Sequence, residues 1–185
     1  MVDLVTDDRP MRSHARRNRE RIIDTAREAL TGTGQDISLN EIARRAGVGI
    51  GTLFRHFPNR DALLEALTYD RTMALCAEAN RLIDTMEPAA ALAKWLRCLC
   101  YHMATCKGLP ASLVAGGLGA SYQALEAAAT ALLVRAQKAG DVRIDVDVPT
   151  LIAMAGAVSW LLELDPSQGD RVDFMLAAIA DGLHA

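Results

Sequence analysis

The stretch from Ser38 to Arg60, SLNEIARRAGVGIGTLFRHFPNR, leaves this chain the fewest options. Ser38-Leu39-Asn40-Glu41 has the Ser-x-x-Glu form of a capping box, in which the serine oxygen accepts from a backbone N–H three residues on and the glutamate reaches back. A helix is therefore expected to start at Ser38. Ile42, Ala43 and Ala46 give it a short apolar face, Gly47 supplies the positive φ that ends such a helix, and Val48 plugs the turn. A second helix can begin near Gly49 and buries Leu53 and Phe57 at i, i+4. It has to stop before Pro58, because the residue preceding proline avoids the α region. Two short helices joined by a glycine turn form the helix-turn-helix pattern, whose second helix is the one that enters a DNA major groove.

The residues AGVGIGTLFRHFPNRDALL are similar to the recognition segment of the tetracycline-repressor (TetR) family of transcription regulators, with its Gly-Thr-Leu-Tyr-x-His-Phe run. The similarity covers about Arg16 to Leu75, with the helix-turn-helix at 38–57. The Tyr101-His102-Met103 and Lys107-Gly108-Leu109 runs resemble the SbtR-like group of these regulators, a likeness that identifies no effector. The resemblance implies an all-α fold with a flexible arm over 1–15, a three-helix DNA-binding head over 16–75, and a helical-bundle ligand-binding and dimerisation domain over 76–185. It further implies a homodimeric repressor that leaves a near-palindromic operator on double-stranded DNA when a small-molecule effector binds, and it calls for no cofactor.

Composition agrees with a helical chain. Of 185 residues, 51% are hydrophobic but only 4% aromatic, and no window alternates β-branched residues with a period of two. No apolar run reaches the ~18 residues of a membrane span, and the N-terminus lacks the apolar core of a signal peptide. A cytoplasmic, nucleoid-associated protein is expected, with no membrane partner. Residues 1–60 hold 11 arginines and no lysine against 8 acidic side chains, whereas residues 61–185 hold 9 basic against 15 acidic ones. A basic N-terminal part on an acidic whole points to that part as the one that meets a polyanion. Cys76, Cys98, Cys100 and Cys106 form no CxxC pair and are expected to be reduced and mostly buried.

In chain order, the first helix is expected from Arg17 to Thr31, with Ile22, Ile23, Ala26, Ala29 and Leu30 inside and Thr33-Gly34 as its stop. Asn59 can cap a fourth helix that runs about 25 residues towards Pro88 as a rigid rod between the two domains. Beyond it come helices at roughly 89–106, 110–115, 121–139, 148–164 and 168–183, about nine in all, separated by glycine and proline breaks.

The residues of the recognition helix not needed for packing are Gly49, Ile50, Gly51, Thr52, Phe54, Arg55 and His56. Thr52 can bond a phosphate, Arg55 a phosphate or a guanine edge, and Ile50 can touch a thymine methyl. Gly51 permits close backbone approach. Ser38, Asn40 and Arg44 stand beside them on the preceding helix, and Arg12, Arg16 and Arg17 can neutralise phosphates or enter a narrow minor groove. By resemblance, Asn40 reads bases, Arg60 replaces a backbone-binding lysine, Gly49 a capping serine, and Phe54 a tyrosine whose hydroxyl would reach a phosphate.

In the second domain Trp95, Cys98, Leu99, His102, Met103, Leu113, Tyr122 and Leu125 are expected to wall a lipophilic pocket, with His102 and Tyr122 as its polar groups. A plain core is the competing reading for each. The four-residue spacing of Cys98, His102 and Cys106 also allows an alternative, a helical small-molecule-binding or metal- or redox-sensing protein that uses this face and reads no DNA. By resemblance the last two helices pair with their twofold mates, through Leu151, Ala155, Val158 and Leu162 on one and Val172, Met175, Leu176, Ile179 and Leu183 on the other. Trp160 belongs to the same apolar pattern. No nucleophile elbow, phosphate-cradling loop or HExxH is present, so no catalytic residue is nominated and no enzymatic activity is expected.

Overall fold

The computed structural model describes residues 9–30, 37–105, 109–114 and 119–184. Among them every regular element is helical: α1 (Arg9–Leu30), α2 (Leu39–Arg45), α3 (Ile50–His56), α4 (Arg60–Thr85), α5 (Pro88–Met103), α6 (Leu109–Val114), α7 (Gly119–Ala139), α8 (Val148–Leu164) and α9 (Gly169–Gly182), the last preceded by a 3-10 turn at Pro166–Gln168. The chain divides into two compact units after Leu63, inside α4. The boundary implied by resemblance, 75/76, also lies inside α4, whose apolar stripe carries no break to mark one.

In the first unit Ile22, Ala26 and Leu30 of α1 pack with Ile37, Ile42, Ala43, Ala46, Leu53, Phe57 and Leu63, all buried. α1 starts at Arg9, so residues 9–15, expected as part of an arm, are helical. Pro10 is no obstacle there, since the first turn of a helix has no use for its missing N–H. The expected stop at Thr33-Gly34 lies outside the described residues.

Ser38 caps α2, its Oγ accepting from the Glu41 amide at 3.2 Å. The reciprocal half of the capping box does not form as expected. The Glu41 carboxylate instead takes Nε and a terminal nitrogen of Arg44 and Nε of Arg45, each at 2.7 Å, because charged donors one turn away outcompete a neutral amide. Gly47 turns the chain at φ +62°. A Cβ there would meet the Arg21 guanidinium at 2.6 Å. That guanidinium donates to the carbonyls of Ala46 and Gly47, closing the C-terminal end of α2. Gly49 then serves as the N-cap residue of α3, its carbonyl accepting from Leu53 at 3.1 Å. Asn59 caps α4 through the Ala62 amide at 2.8 Å, as expected.

In the second unit α8 packs against α5, α6, α7 and α9. Asp147 caps it through the Thr150 amide at 2.8 Å, and its buried side includes Leu151, Ile152, Ala155, Val158 and Leu162. Leu92, Trp95, Leu96, Leu99 and Met103 of α5 and Leu125, Leu132 and Leu133 of α7 are buried with them. Trp95 donates its indole N–H to the Leu75 carbonyl at 3.0 Å, which satisfies the one polar atom of this fully buried ring. Arg97 clamps α5 to α9 through a two-pronged bond to Asp173, at 2.6 and 3.0 Å.

Candidate nucleic-acid interface

α3 divides cleanly by its helical period. Leu53 and, just past its end, Phe57 are buried, Thr52 and His56 are half-buried, and Ile50, Gly51, Phe54 and Arg55 face outward. The outward arc has two rows, Ile50 with Phe54 and Gly51 with Arg55, each spaced i, i+4. Arg55 lies back along its own helix, donating Nε to the Gly51 carbonyl at 3.3 Å and a terminal nitrogen to the Thr52 hydroxyl at 3.1 Å. A Cβ built on Gly49 or Gly51 would meet nothing within 4 Å. The fold of this unit therefore asks for glycine at neither position, although glycine inside a helix costs about 1 kcal/mol against alanine.

The flanking candidates are placed as follows. Arg16, Arg17, Ser38, Asn40 and Arg44 are exposed. Arg16 pairs with Glu20 at 3.5 Å and Arg44 with Glu41. Bonds from Arg44 and then Arg45 draw the Glu41 carboxyl down to about 2. Arg12 lies in α1, its side chain outside the described residues. Arg60, expected to meet a DNA backbone, donates to the Ile37 carbonyl at 3.1 Å and so also ties the start of α4 to the segment before α2. Two exposed arginines of the N-terminal cluster make contacts within the unit: Arg21 at the Gly47 turn, and Arg19, whose guanidinium sits 5.4 Å over the Phe57 ring. A run of arginines carries no signal that separates these from their neighbours.

In the second unit most of the residues expected to wall a pocket are buried. Trp95, Leu99, Met103 and Leu125 are fully buried, His102 is buried, and Cys98 and Tyr122 are half-buried. Leu113 lies in α6, its side chain outside the described residues. His102 Nε2 lies 3.1 Å from the Thr72 hydroxyl, which itself donates to the Thr68 carbonyl at 3.1 Å. Burial, helped by the field of Arg71, pulls the imidazole down to about 4 from its usual 6.5, so His102 is neutral at pH 7. A cavity of about 30 Å³ lies elsewhere, among Leu92, Leu96, Asp141, Val142, Leu183 and His184. It has room for about two water molecules, far below what an effector site needs.

A family model described as the C-terminal domain of SbtR-like transcriptional regulators matches residues 87–185, more than half of the chain. A second, for bacterial regulatory proteins of the tetR family, matches residues 22–67. The chain belongs to the TetR family. Its structure is similar to that of the TetR transcriptional regulator SCO0520 from Streptomyces coelicolor, with 33% identity, 90% of this chain and 98% of the other covered, and a TM-score of 0.59. It is also similar to FadR of Thermus thermophilus, a TetR-family repressor crystallised in complex with lauroyl-CoA, at 25% identity over 86% of this chain and 90% of that one, TM-score 0.55. HTH-type transcriptional regulators of Staphylococcus aureus are 43% identical over 54 residues. The match spans 29% of this chain and 29% of the length of those curated relatives.

For this TetR-family chain the dimer residues expected on α8 and α9 need correction. Leu151, Ala155, Val158 and Leu162, with Val172 and Leu183, are buried inside a single copy, which leaves them little surface to offer a second one. Leu176 and Ile179 are half-buried, and of the nine only Met175 is exposed. The outward side of α8 carries Ala153, Ala157, Trp160 and Leu164, at i, i+4, i+7 and i+11, and that of α9 carries Phe174, Met175 and Ala178. Trp160, Leu164 and Phe174 are 58%, 61% and 74% exposed. The sequence pattern could not choose between the sides of α8, because both are apolar.

The metal-sensing alternative finds no support in geometry. Cys106 lies outside the described residues, and among the described residues no three His, Cys, Asp or Glu side chains gather as ligands would. The buried Cys100 thiol donates to the Ala155 carbonyl at 3.4 Å, and burial first, then the charge of Asp173, pushes it up to about 12. Such a thiol is inert.

Proposed function

We propose that this chain acts as a homodimeric transcriptional repressor, each copy reading one half of a near-palindromic operator through α3, and that a small molecule bound in the second unit releases it. The observation that carries this reading is the outward row of α3. Ile50, Gly51, Phe54 and Arg55 serve no core and stand in a unit whose exposed surface includes Arg16, Arg17, Arg44 and Arg45. The twofold mate is met through Trp160, Leu164 and Phe174, whose exposure on a single copy is otherwise unexplained.

The effector region centres on His102 and Tyr122, with Trp95, Leu99, Met103 and Leu125 around them. The lauroyl-CoA complex of a TetR-family relative supports an effector of small-molecule size. A ligand that binds there regulates only if it binds the second unit better in one state of the protein than in the other. That difference is what an effector needs in order to shift the equilibrium. By reciprocity the ligand weakens DNA binding by the factor that DNA weakens ligand binding. The protein works by binding, without catalysis, at the nucleoid in the cytoplasm.

Incubating the purified protein with genomic fragments at two salt concentrations, then sequencing the bound DNA, tests this directly. Enrichment of a short palindrome that fades at high salt is expected. Arg55→Ala should lower binding to that palindrome by about 1–3 kcal/mol, and unchanged affinity would remove Arg55 from the reading surface.

A further inference from the structure

We infer that Ile50 and Phe54 form a methyl-reading row, so that each operator half-site carries a thymine at both base pairs facing them. The inference rests on the DNA-reading role of α3 proposed above and names what that helix reads.

Both side chains are large and apolar, yet they stand 39% and 46% exposed on the helix that packs through Leu53. They lie one turn apart on the same side, about 6 Å along the axis, a separation comparable with one or two steps of stacked bases at about 3.4 Å. Next to them the helix is pared down. Gly49 and Gly51 lack side chains where the fold has open room for them, which lowers the ridge beside Ile50 and Phe54 and lets the row seat deeper against a partner.

The polar groups nearby do not compete for that contact. Thr52 is half-buried and its hydroxyl accepts from Arg55, while Arg55 is drawn back along the helix to the Gly51 carbonyl. The apolar row therefore meets the partner first. The exposed arginines of the same unit fit a polyanion and would be stripped of water at an apolar protein surface. In a major groove the apolar group on offer is the thymine C5 methyl. Phe54 has no hydroxyl to give a phosphate. On the same row as Ile50, the bare ring is a base contact.

The test places the change on the DNA, where it cannot disturb the protein's fold. With the operator selected from random duplexes, each thymidine of a half-site is replaced in turn by deoxyuridine, which keeps every hydrogen bond and removes only the methyl. Replacement at two positions should weaken binding about fourfold each, the worth of one buried methyl-sized group, with the remaining positions near neutral. Ile50→Ala should abolish the sensitivity at one of these positions and Phe54→Ala at the other, with an unchanged melting temperature confirming that both variants fold. An operator indifferent to uracil throughout overturns the methyl row while leaving DNA reading intact. If random duplexes yield no preferred sequence at all, the DNA-reading role falls and the methyl row with it.

Discussion

Two surfaces of this chain hold large apolar side chains in water, and they differ in what surrounds and what backs them. On α3, Ile50 and Phe54 lie next to glycines in a unit dotted with exposed arginines, over a thin core completed by a polar cap, Arg21 on the carbonyls of Ala46 and Gly47. On α8 and α9, Trp160, Leu164 and Phe174 lie among alanines, over a continuous core of Leu151, Val158, Leu162 and Val172. Apolar exposure alone does not say what covers a surface. Arginines and missing side chains fit the first to a nucleic-acid groove, and alanines between bulky anchors fit the second to another copy of the chain.

The sharpest way to break this contrast lies on the two sides of α8. Leu151→Ala should cost about 2–5 kcal/mol in urea unfolding, the usual toll of an emptied core site. If it dissociated dimers without loss of stability, the inside and outside of α8 would be exchanged. Phe174→Glu should leave each copy folded and weaken self-association by about 2–3 kcal/mol, roughly 30- to 150-fold by sedimentation, because it sets a charge within an apolar contact.

The core behind the second surface has its own signature in acid. The unfolded His102 takes up a proton near pH 6.5 and the folded one only near 4. Between those values the unfolded chain binds more protons, so stability falls as pH drops. The loss is absent above about 6.5 and complete below about 4, amounting to about 2 kcal/mol between pH 7.5 and pH 5. Denaturation curves for the wild type and His102→Gln at both pH values should show this part of the slope vanish in the variant. The smallest effect tests the backing of α3. Gly47→Ala should cost about 1–2 kcal/mol for its left-handed backbone and displace the Arg21 cap, weakening operator binding uniformly without changing which bases are preferred.

How far these features were legible depended on the range of the interactions behind them. The Ser38 cap, the Gly47 turn, the stop before Pro58 and the Asn59 cap are settled by residues within a few positions of each other, and the helix-turn-helix follows from them. The partnership of Glu41 was misjudged because Arg44 and Arg45, equally local, offered a stronger bond than the expected amide. His102 was marked as a polar group, but Thr72 is its partner across 30 positions of sequence and only folding brings them together. On α8 the pattern itself was ambiguous. A helix apolar all round declares that it is covered on every side without saying which cover belongs to its own chain.

The Glu41 clamp bears on how the proposed operator complex would respond to salt. Arg44 already holds a carboxylate at 2.7 Å, shared with Arg45. When Arg44 turns to a phosphate it exchanges one bound anion for another, and the internal counterion it leaves stays tethered to α2, close to the DNA. Each head should therefore show a shallower dependence of log K on log salt than its arginines would suggest, and Glu41→Gln should steepen it. In that proposed complex the carboxylate would act as a tuning weight, tempering general attachment to DNA and leaving a larger share of the discrimination to the bases under α3.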